Sequence, residues 1–236
     1  MKRLWIVSLL LPMALAAQSV IPPGTVLPLR LDTGINAHKL RVGEEIRATV
    51  MQNISGTPIR RGAHVLGHVI GVTPTQVSLR FDTVVWHGER IPVRTNLRAL
   101  ASMMAVDAAY VPEEEASRGL APENWTTEQI GGDMVYRGGG PVTSGSMKVG
   151  WSTAYGVRGQ LIGNGPCRAA VDGNENPQAL WLFSTNACGV YGIPGLTIAH
   201  AGRKTATIEL LSENGKLNIR SGGAMLLRVQ GPQQPH

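Results

Sequence analysis

The chain has 236 residues, of which 43% are hydrophobic, 16% charged and only 5% aromatic, with a formal charge of +6. Many of its basic residues stand singly, as at Arg30, Arg47, Arg80, Arg94, Arg158 and Arg228, rather than in a stripe with aromatic platforms, which argues against nucleic acid as a partner. So few aromatic residues also argue against an outer-membrane barrel, whose lipid-facing strands carry aromatic girdles.

The first residues read Met1-Lys2-Arg3, then the apolar run Leu4 to Leu11, then Ala14, Ala16 and Ala17 before Gln18. A positive start, a short apolar stretch and a small-residue cleavage site predict a secretory signal peptide over residues 1–17. The run is shorter than the roughly 20 residues of a membrane-spanning helix. No Cys follows the cleavage region, so no lipid anchor is indicated. Losing the leader removes Lys2 and Arg3 and leaves a formal charge of +4. The expected location is periplasmic or secreted, with outer-membrane association open. About 220 residues remain, enough for one large all-β domain or two small ones.

Residues 18–110 read as a β-barrel-like module because apolar side chains recur with period two. Leu27, Leu29 and Leu31 share one face, opposite Pro28 and Arg30, and the proline predicts an edge strand or one whose amide side is turned outward. Ile46, Ala48 and Val50 alternate with Glu45, Arg47 and Thr49. The segment around Val65, Leu66, Val69, Ile70 and Val72 also reads as strand. Val77, Leu79, Phe81, Thr83 and Val85 oppose Ser78, Arg80 and Asp82, and after a turn at His87-Gly88-Glu89 the face resumes at Ile91, Val93 and Leu97, a hairpin pattern. The sequence Leu29-Arg30-Leu31-Asp32-Thr33 returns as Leu79-Arg80-Phe81-Asp82-Thr83, an echo that fits similar hairpins in a small barrel. Ala99 to Ala109 suits either three helical turns or an extension of the sheet.

Residues 111–130 form an expected exposed loop or linker, marked by Pro112-Glu113-Glu114-Glu115 and Ala121-Pro122-Glu123-Asn124. Residues 131–230 form a Gly-rich β region, with strands expected at 133–137, 180–184, 205–211, 215–219 and 225–229, and residues 231–236 a flexible tail. The glycine density points to turns and bulges more than to long ladders. Cys167 and Cys188 are an isolated pair, which in an oxidising compartment reads as one disulfide. The expected fold is therefore mainly β, a small antiparallel barrel or sandwich followed by a Gly-rich β region with one disulfide.

Asp32-Thr33-Gly34 after an apolar strand is the tripeptide that aspartic proteases use to share a proton between two aspartates. One copy would require a homodimer, and the second Asp-Thr, at Asp82, lacks the glycine. An Asp that caps its own turn explains both copies. His64 and His68, four residues apart on a strand, would hold their rings roughly 13 Å apart, too far to share a metal ion. His87 and His200 are scattered. No serine sits in a G-x-S-x-G elbow, and the glycines at 138–140 and 163–165 lack the residues of a phosphate loop. Glu113, Asp133 and Asp172 are the carboxylates that a glycan hydrolase would have to bring together. Of Trp86, Trp125, Trp151 and Trp181, packing roles suit most, while Trp125, in the polar loop, and Tyr136 are the candidate contact residues.

Several short features carry a family likeness: Pro23-Gly24-Thr25 before a strand, Leu31-Asp32-Thr33, Val42-Gly43 before Ile46 to Val50, Arg61-Gly62 before Val65 to Val69, and Leu79-Arg80-Phe81. On these the segment from about Ile21 to Arg98 resembles the C-terminal β-barrel module of TrbI/VirB10-like conjugation and type IV secretion proteins. The resemblance implies an exported barrel domain that oligomerises in envelope-spanning channels. This chain departs from the family in having a cleavable leader where the family has an inner-membrane helix and a Pro-rich linker, and in lacking a recognisable helical antenna. It also resembles uncharacterised secreted proteins of soil bacteria, some sharing the later two-Cys region that ends in Ser221-Gly222-Gly223-Ala224-Met225-Leu226-Leu227.

The function expected from all this is noncatalytic: an exported envelope protein with a structural, assembly or binding role, no cofactor, and no catalytic or metal-binding residue. Its expected partners are an envelope protein, a glycan or an anionic lipid surface, with a homo-oligomer also open. The alternative is an exported hydrolase, either a dimeric aspartic protease using Asp32 or a carboxylate-dependent glycan hydrolase.

Overall fold

The computed structural model describes residues 21–109, 130–131, 133–136, 140–144, 147–152, 157–160, 180–183, 187–199 and 206–231. These are mainly β, in agreement with the fold class expected from sequence. In chain order the elements are β1 (Val26–Leu31), β2 (Ile35–Asn36), β3 (Glu45–Val50), β4 (His64–Thr73), β5 (Gln76–Trp86), β6 (Glu89–Pro92), β7 (Thr95–Ala101) and the helix α1 (Met103–Ala109). There follow β8 (Asp133–Tyr136), β9 (Gly140–Ser144), β10 (Met147–Ser152), β11 (Val157–Gln160), β12 (Gly189–Tyr191), β13 (Leu196–Ala199), β14 (Ile208–Ser212), β15 (Asn218–Ile219) and β16 (Ala224–Val229).

One 10-stranded sheet runs β12-β7-β16-β1-β3-β4-β5-β14-β13, with β6 paired to β5. Its two ends, β12 and β13, are neighbours joined by a short turn with Gly192 and Gly195 at positive φ, so the sheet curls into a nearly closed barrel. Closure removes the exposed edges that would otherwise invite pairing with another chain. The sheet takes strands from both sides of the expected linker: β16 lies between β1 and β7, and β14 pairs with β5. The β12–β7 pairing is parallel, whereas the other ladders are antiparallel. Short two-stranded pairs join β15 to β2, β10 to β9 and β11 to β8.

The expected alternation fills the barrel: Leu27, Leu29, Leu31, Ile46, Ala48, Val50, Val65, Val69, Val77, Leu79, Phe81, Met225, Leu227 and Val229 all enter one buried core. Each fully buried Leu, Val or Phe contributes about 1.5–3 kcal/mol relative to exposure. A second cluster lies outside the barrel wall, where Val26, Ala99, Ala101, Ala224 and Leu226 are covered by Val106 and Ala109 of α1 and by Ile130, Leu180, Phe183, Ala187 and Tyr191. That cover explains why every residue of β7 is buried.

Three expectations are corrected and one open alternative is resolved. Strand β1 is not an edge strand, since β16 and β3 flank it. Pro28 is tolerated because its carbonyl accepts from the Met51 amide at 3.0 Å, just past the end of β3, so its missing N–H faces the point where that ladder stops. In β5 the buried phase moves from Thr83 and Val85 to Val84, because the pairing with β4 passes from Gly67↔Phe81 to Leu66↔Thr83 and leaves Asp82 as a bulge residue. The ambiguous stretch before residue 110 is both things at once, strand to Ala101 and then helix. Residues 180–183 form a turn rather than a strand, with Trp181 at φ 56 and the Phe183 amide bonded to the Leu180 carbonyl. Leu180 and Phe183, three apart, both enter the second cluster, which the two-sided geometry of a strand would forbid.

Candidate functional site

The outer wall of β3, β4 and β5 brings several ionisable groups together. Thr49 is opposite both Arg30 and His64, while His68 is opposite Glu45 and Arg80. The two copies of the Leu-Arg-x-Asp-Thr echo therefore deliver their aspartates to the two histidines of β4. His64 Nδ1 lies 3.8 Å from Asp32 Oδ2, and His68 Nδ1 lies 3.3 Å from Asp82 Oδ2.

Around the first pair, the Thr49 hydroxyl donates to Asp32 Oδ2 at 2.7 Å, and its oxygen sits 3.3 Å from His64 Nδ1. Thr33 Oγ1 accepts from the Arg47 amide at 3.2 Å. Around the second, Thr83 Oγ1 donates to Asp82 Oδ1 at 2.9 Å. Neither aspartate behaves as the expected turn cap: Asp32 takes a hydroxyl across the sheet, and Asp82 is a bulge within a strand. A nucleophilic relay needs the acid on one imidazole nitrogen and the hydroxyl on the other. Here both groups share Nδ1, and the hydroxyl proton already points at the carboxylate, so the trio links strands rather than activating Thr49. Among the described residues no group of three or more His, Cys, Asp or Glu is arranged to hold a metal ion.

A groove of about 550 Å³ opens at one end of the barrel, between Gly34, Asn36, Lys39, Leu40 and Glu44 on one side and Met103, Asn218, Ile219, Arg220 and Ser221 on the other. The Asp-Thr-Gly tripeptide thus ends at this groove through its glycine. Gly34 lets the backbones approach closely there: a Cβ would come within 3.1 Å of the Ile219 carbonyl, where β2 meets β15. Asn36 Nδ2 donates to Asn218 Oδ1 at 3.4 Å, and Asn36 Oδ1 accepts from the His38 amide at 3.0 Å. Glu44 is occupied by its own turn, accepting from the Arg41 amide at 3.0 Å. Among the described residues neither Lys39 nor Arg220 forms an ion pair.

A third polar cluster is buried in the second apolar layer. Arg98 is the residue left over where β7 shifts register against β16, and the bulge turns its side chain outward so that Nε donates to the Ala187 carbonyl at 2.9 Å. The Cys188 amide donates to the Tyr191 hydroxyl at 2.8 Å. Burial pushes the Tyr191 phenol above its ordinary 10.0, while the Cys188 hydrogen bond and the Arg98 charge pull it back.

Of the residues singled out from sequence, Trp125, Cys167, Glu113, Asp172 and His200 lie outside the described residues. The expected Cys167–Cys188 bridge, which needs Cys167, therefore stays an expectation. Tyr136 and Asp133 are placed as backbone on β8, opposite Val157 and Gln160. Trp86 packs on the barrel core beside His87, with ring centroids 4.2 Å apart, and Trp181 packs on the second cluster. Sequence reasoning missed Lys39, Asn36, Asn218 and Arg220, which come together only because β2 pairs with β15 across 182 positions. Arg98 left a signal, a charge inside the otherwise apolar run from Leu97 to Ala101. No family model matches this chain, no curated protein matches it in sequence, and no solved structure matches its fold.

Proposed function

We propose that this protein is a noncatalytic, exported component of the cell envelope that works by binding or assembly. The observation that carries the reading is the split between the two polar regions. The histidines and aspartates that chemistry would use are tied to neighbouring strands, whereas the end groove gathers two cations with no ion pair among the described residues, one carboxylate, two amides and a hydroxyl beside the apolar Leu40, Met103 and Ile219. Such a lining suits recognition of a ligand more than turnover of one. The leader-like N-terminus supports export, and the likeness of the first region to the TrbI/VirB10-like barrel module supports a place in envelope assembly.

Fractionation of cells producing the full chain tests this. The expected result is a chain recovered with the envelope or the medium, cut after Ala16 or Ala17, with a mass lower by two hydrogens if Cys167 and Cys188 are joined. Peptide hydrolysis by the purified chain that disappears in Asp32→Asn would overturn the noncatalytic reading in favour of a dimeric aspartic protease, and glycan hydrolysis would overturn it in favour of a carboxylate-dependent glycan hydrolase.

A further inference from the structure

We infer that the grooved end of the barrel is a docking surface for an anionic lipid bilayer, which deepens the envelope-binding reading above and rests on it. Val42 and Met104 are 65% and 77% exposed, the two most exposed large apolar side chains among the described residues. Both stand at this end. Val42 is the tip of the turn between Leu40 and Glu44, and Met104 follows Met103, all three of these neighbours lining the groove. Met103 itself lies over Gly222, where a Cβ would meet its Cγ at 3.1 Å, which fixes the start of α1 against the turn that carries Arg220 and Ser221.

The groove beside these tips adds the apolar side chains of Leu40, Met103 and Ile219 to its lining, and apolar surface with a polar rim is the kind that marks an interaction site. The groups around these tips choose the phase that covers them. Lys39, Arg41 and Arg220 have no ion pair among the described residues, while of the carboxylates next to the groove residues in sequence Glu44 accepts from the Arg41 amide, Glu45 pairs with Arg47, Asp32 is held by Thr49 and His64, and Asp107 of α1 is exposed. Cations ringing exposed apolar tips fit a surface with an anionic headgroup layer over an acyl interior. The barrel wall does not suit such a phase: its open side carries Arg30, Glu45, Arg47, His64, His68 and Arg80, where a lipid-facing strand would be apolar. The protein therefore sits on the bilayer by its end, with Val42 and Met104 entering the headgroup boundary and the groove holding one headgroup between Lys39 and Arg220.

Flotation with vesicles tests this, comparing pure phosphatidylcholine with phosphatidylcholine containing about a quarter phosphatidylglycerol. The purified chain is expected to float with the anionic vesicles and not with the neutral ones. Each cation near such a surface strengthens partitioning about fivefold, so the triple variant Lys39→Gln, Arg41→Gln, Arg220→Gln is expected to lose about a hundredfold. Val42→Ser with Met104→Ser is expected to weaken binding several-fold at unchanged charge. Circular dichroism and a urea midpoint on each variant confirm the fold, since all five positions lie at the surface. A control triple, Arg30→Gln, Arg47→Gln, Arg80→Gln, removes the same charge from the wall and is expected to leave flotation intact. Equal loss in that control would mean binding by net charge alone and overturn the proposal. So would absence of flotation, or inorganic phosphate displacing the chain as well as phosphatidylglycerol headgroups do at matched ionic strength. If fractionation finds no export while vesicle binding persists, the envelope reading falls and the docking surface stands; export without vesicle binding removes the docking surface alone.

Discussion

The two sides of the barrel wall use the same strand geometry for opposite ends. Over β3, β4 and β5 the outward residues include Glu45, Arg47, Thr49, His64, His68 and Arg80, exposed or half-exposed around a buried Leu66. Over β7, β16 and the start of β1 they are Ala99, Ala101, Ala224, Leu226 and Val26, roofed by α1 and by residues 180–183 and 187–191. The difference teaches that alternation fixes only one face of a strand, while the nature of the other face depends on what later parts of the chain bring to it. Small residues mark the roofed side because a second layer must approach the sheet closely there.

A matched pair of substitutions breaks this comparison most sharply. Ala99→Asp puts an unpaired carboxylate in the fully buried second layer and is expected to cost about 3–5 kcal/mol. Arg47→Asp, on the open side, is expected to stay within about 0.5 kcal/mol. Urea midpoints measured on both decide it, and equal midpoints would mean that the roof is not closed. Gly67→Ala comes next. Its methyl would stand 2.5 Å from the Arg80 carbonyl and 2.8 Å from the Phe81 ring, both on the strand it pairs with, so β4 and β5 must part locally at about 1–3 kcal/mol. The same substitution should loosen the bulge that presents Asp82 to His68, readable as faster amide exchange along β5.

Tyr191 sharpens the picture of the roof. Tyr191→Phe removes the acceptor of the Cys188 amide and is expected to cost about 1 kcal/mol at neutral pH. The pH dependence has a definite sign. The folded phenol is held above 10.0, so the neutral form's contribution is complete below that value and is lost as pH rises from there through the raised folded value. A stability profile at alkaline pH should slope downward in the native chain more than in the Phe variant. Equal slopes would place the phenol in water.

Much of the barrel was legible because its inner face is apolar at every second residue, as in β3 and β16, where sequence and structure coincide. Three things were not. The central position of β1 was hidden by Pro28, since sequence cannot tell whether a missing donor falls at a ladder's end. The phase change after Phe81 comes from a bulge that depends on the partner strand, and no local pattern announces it. The end groove joins residues from Gly34 to Ser221, a separation that no spacing argument spans. The Asp-Thr echo was visible as a repeat, but its meaning was not, because the histidines that answer it sit on a third strand.

The smallest effect tests that meaning. If the two Asp–His contacts were structural clasps, a double-mutant cycle between Asp82→Asn and His68→Gln would return a coupling of several kcal/mol. Their side chains are 37% and 39% exposed, and the ring is 3.3 Å from the carboxylate in a setting that water and salt can screen. Exposed pairs of this kind typically couple by about 0.2–1 kcal/mol. The expected coupling at pH 6 is in that range, shrinking with added salt, and the Asp32–His64 pair at 3.8 Å should give less. A coupling above about 2 kcal/mol would exceed what a screened surface pair can supply. The open wall would then be a folding determinant in its own right, and its contrast with the roofed side would be one of chemistry rather than of importance.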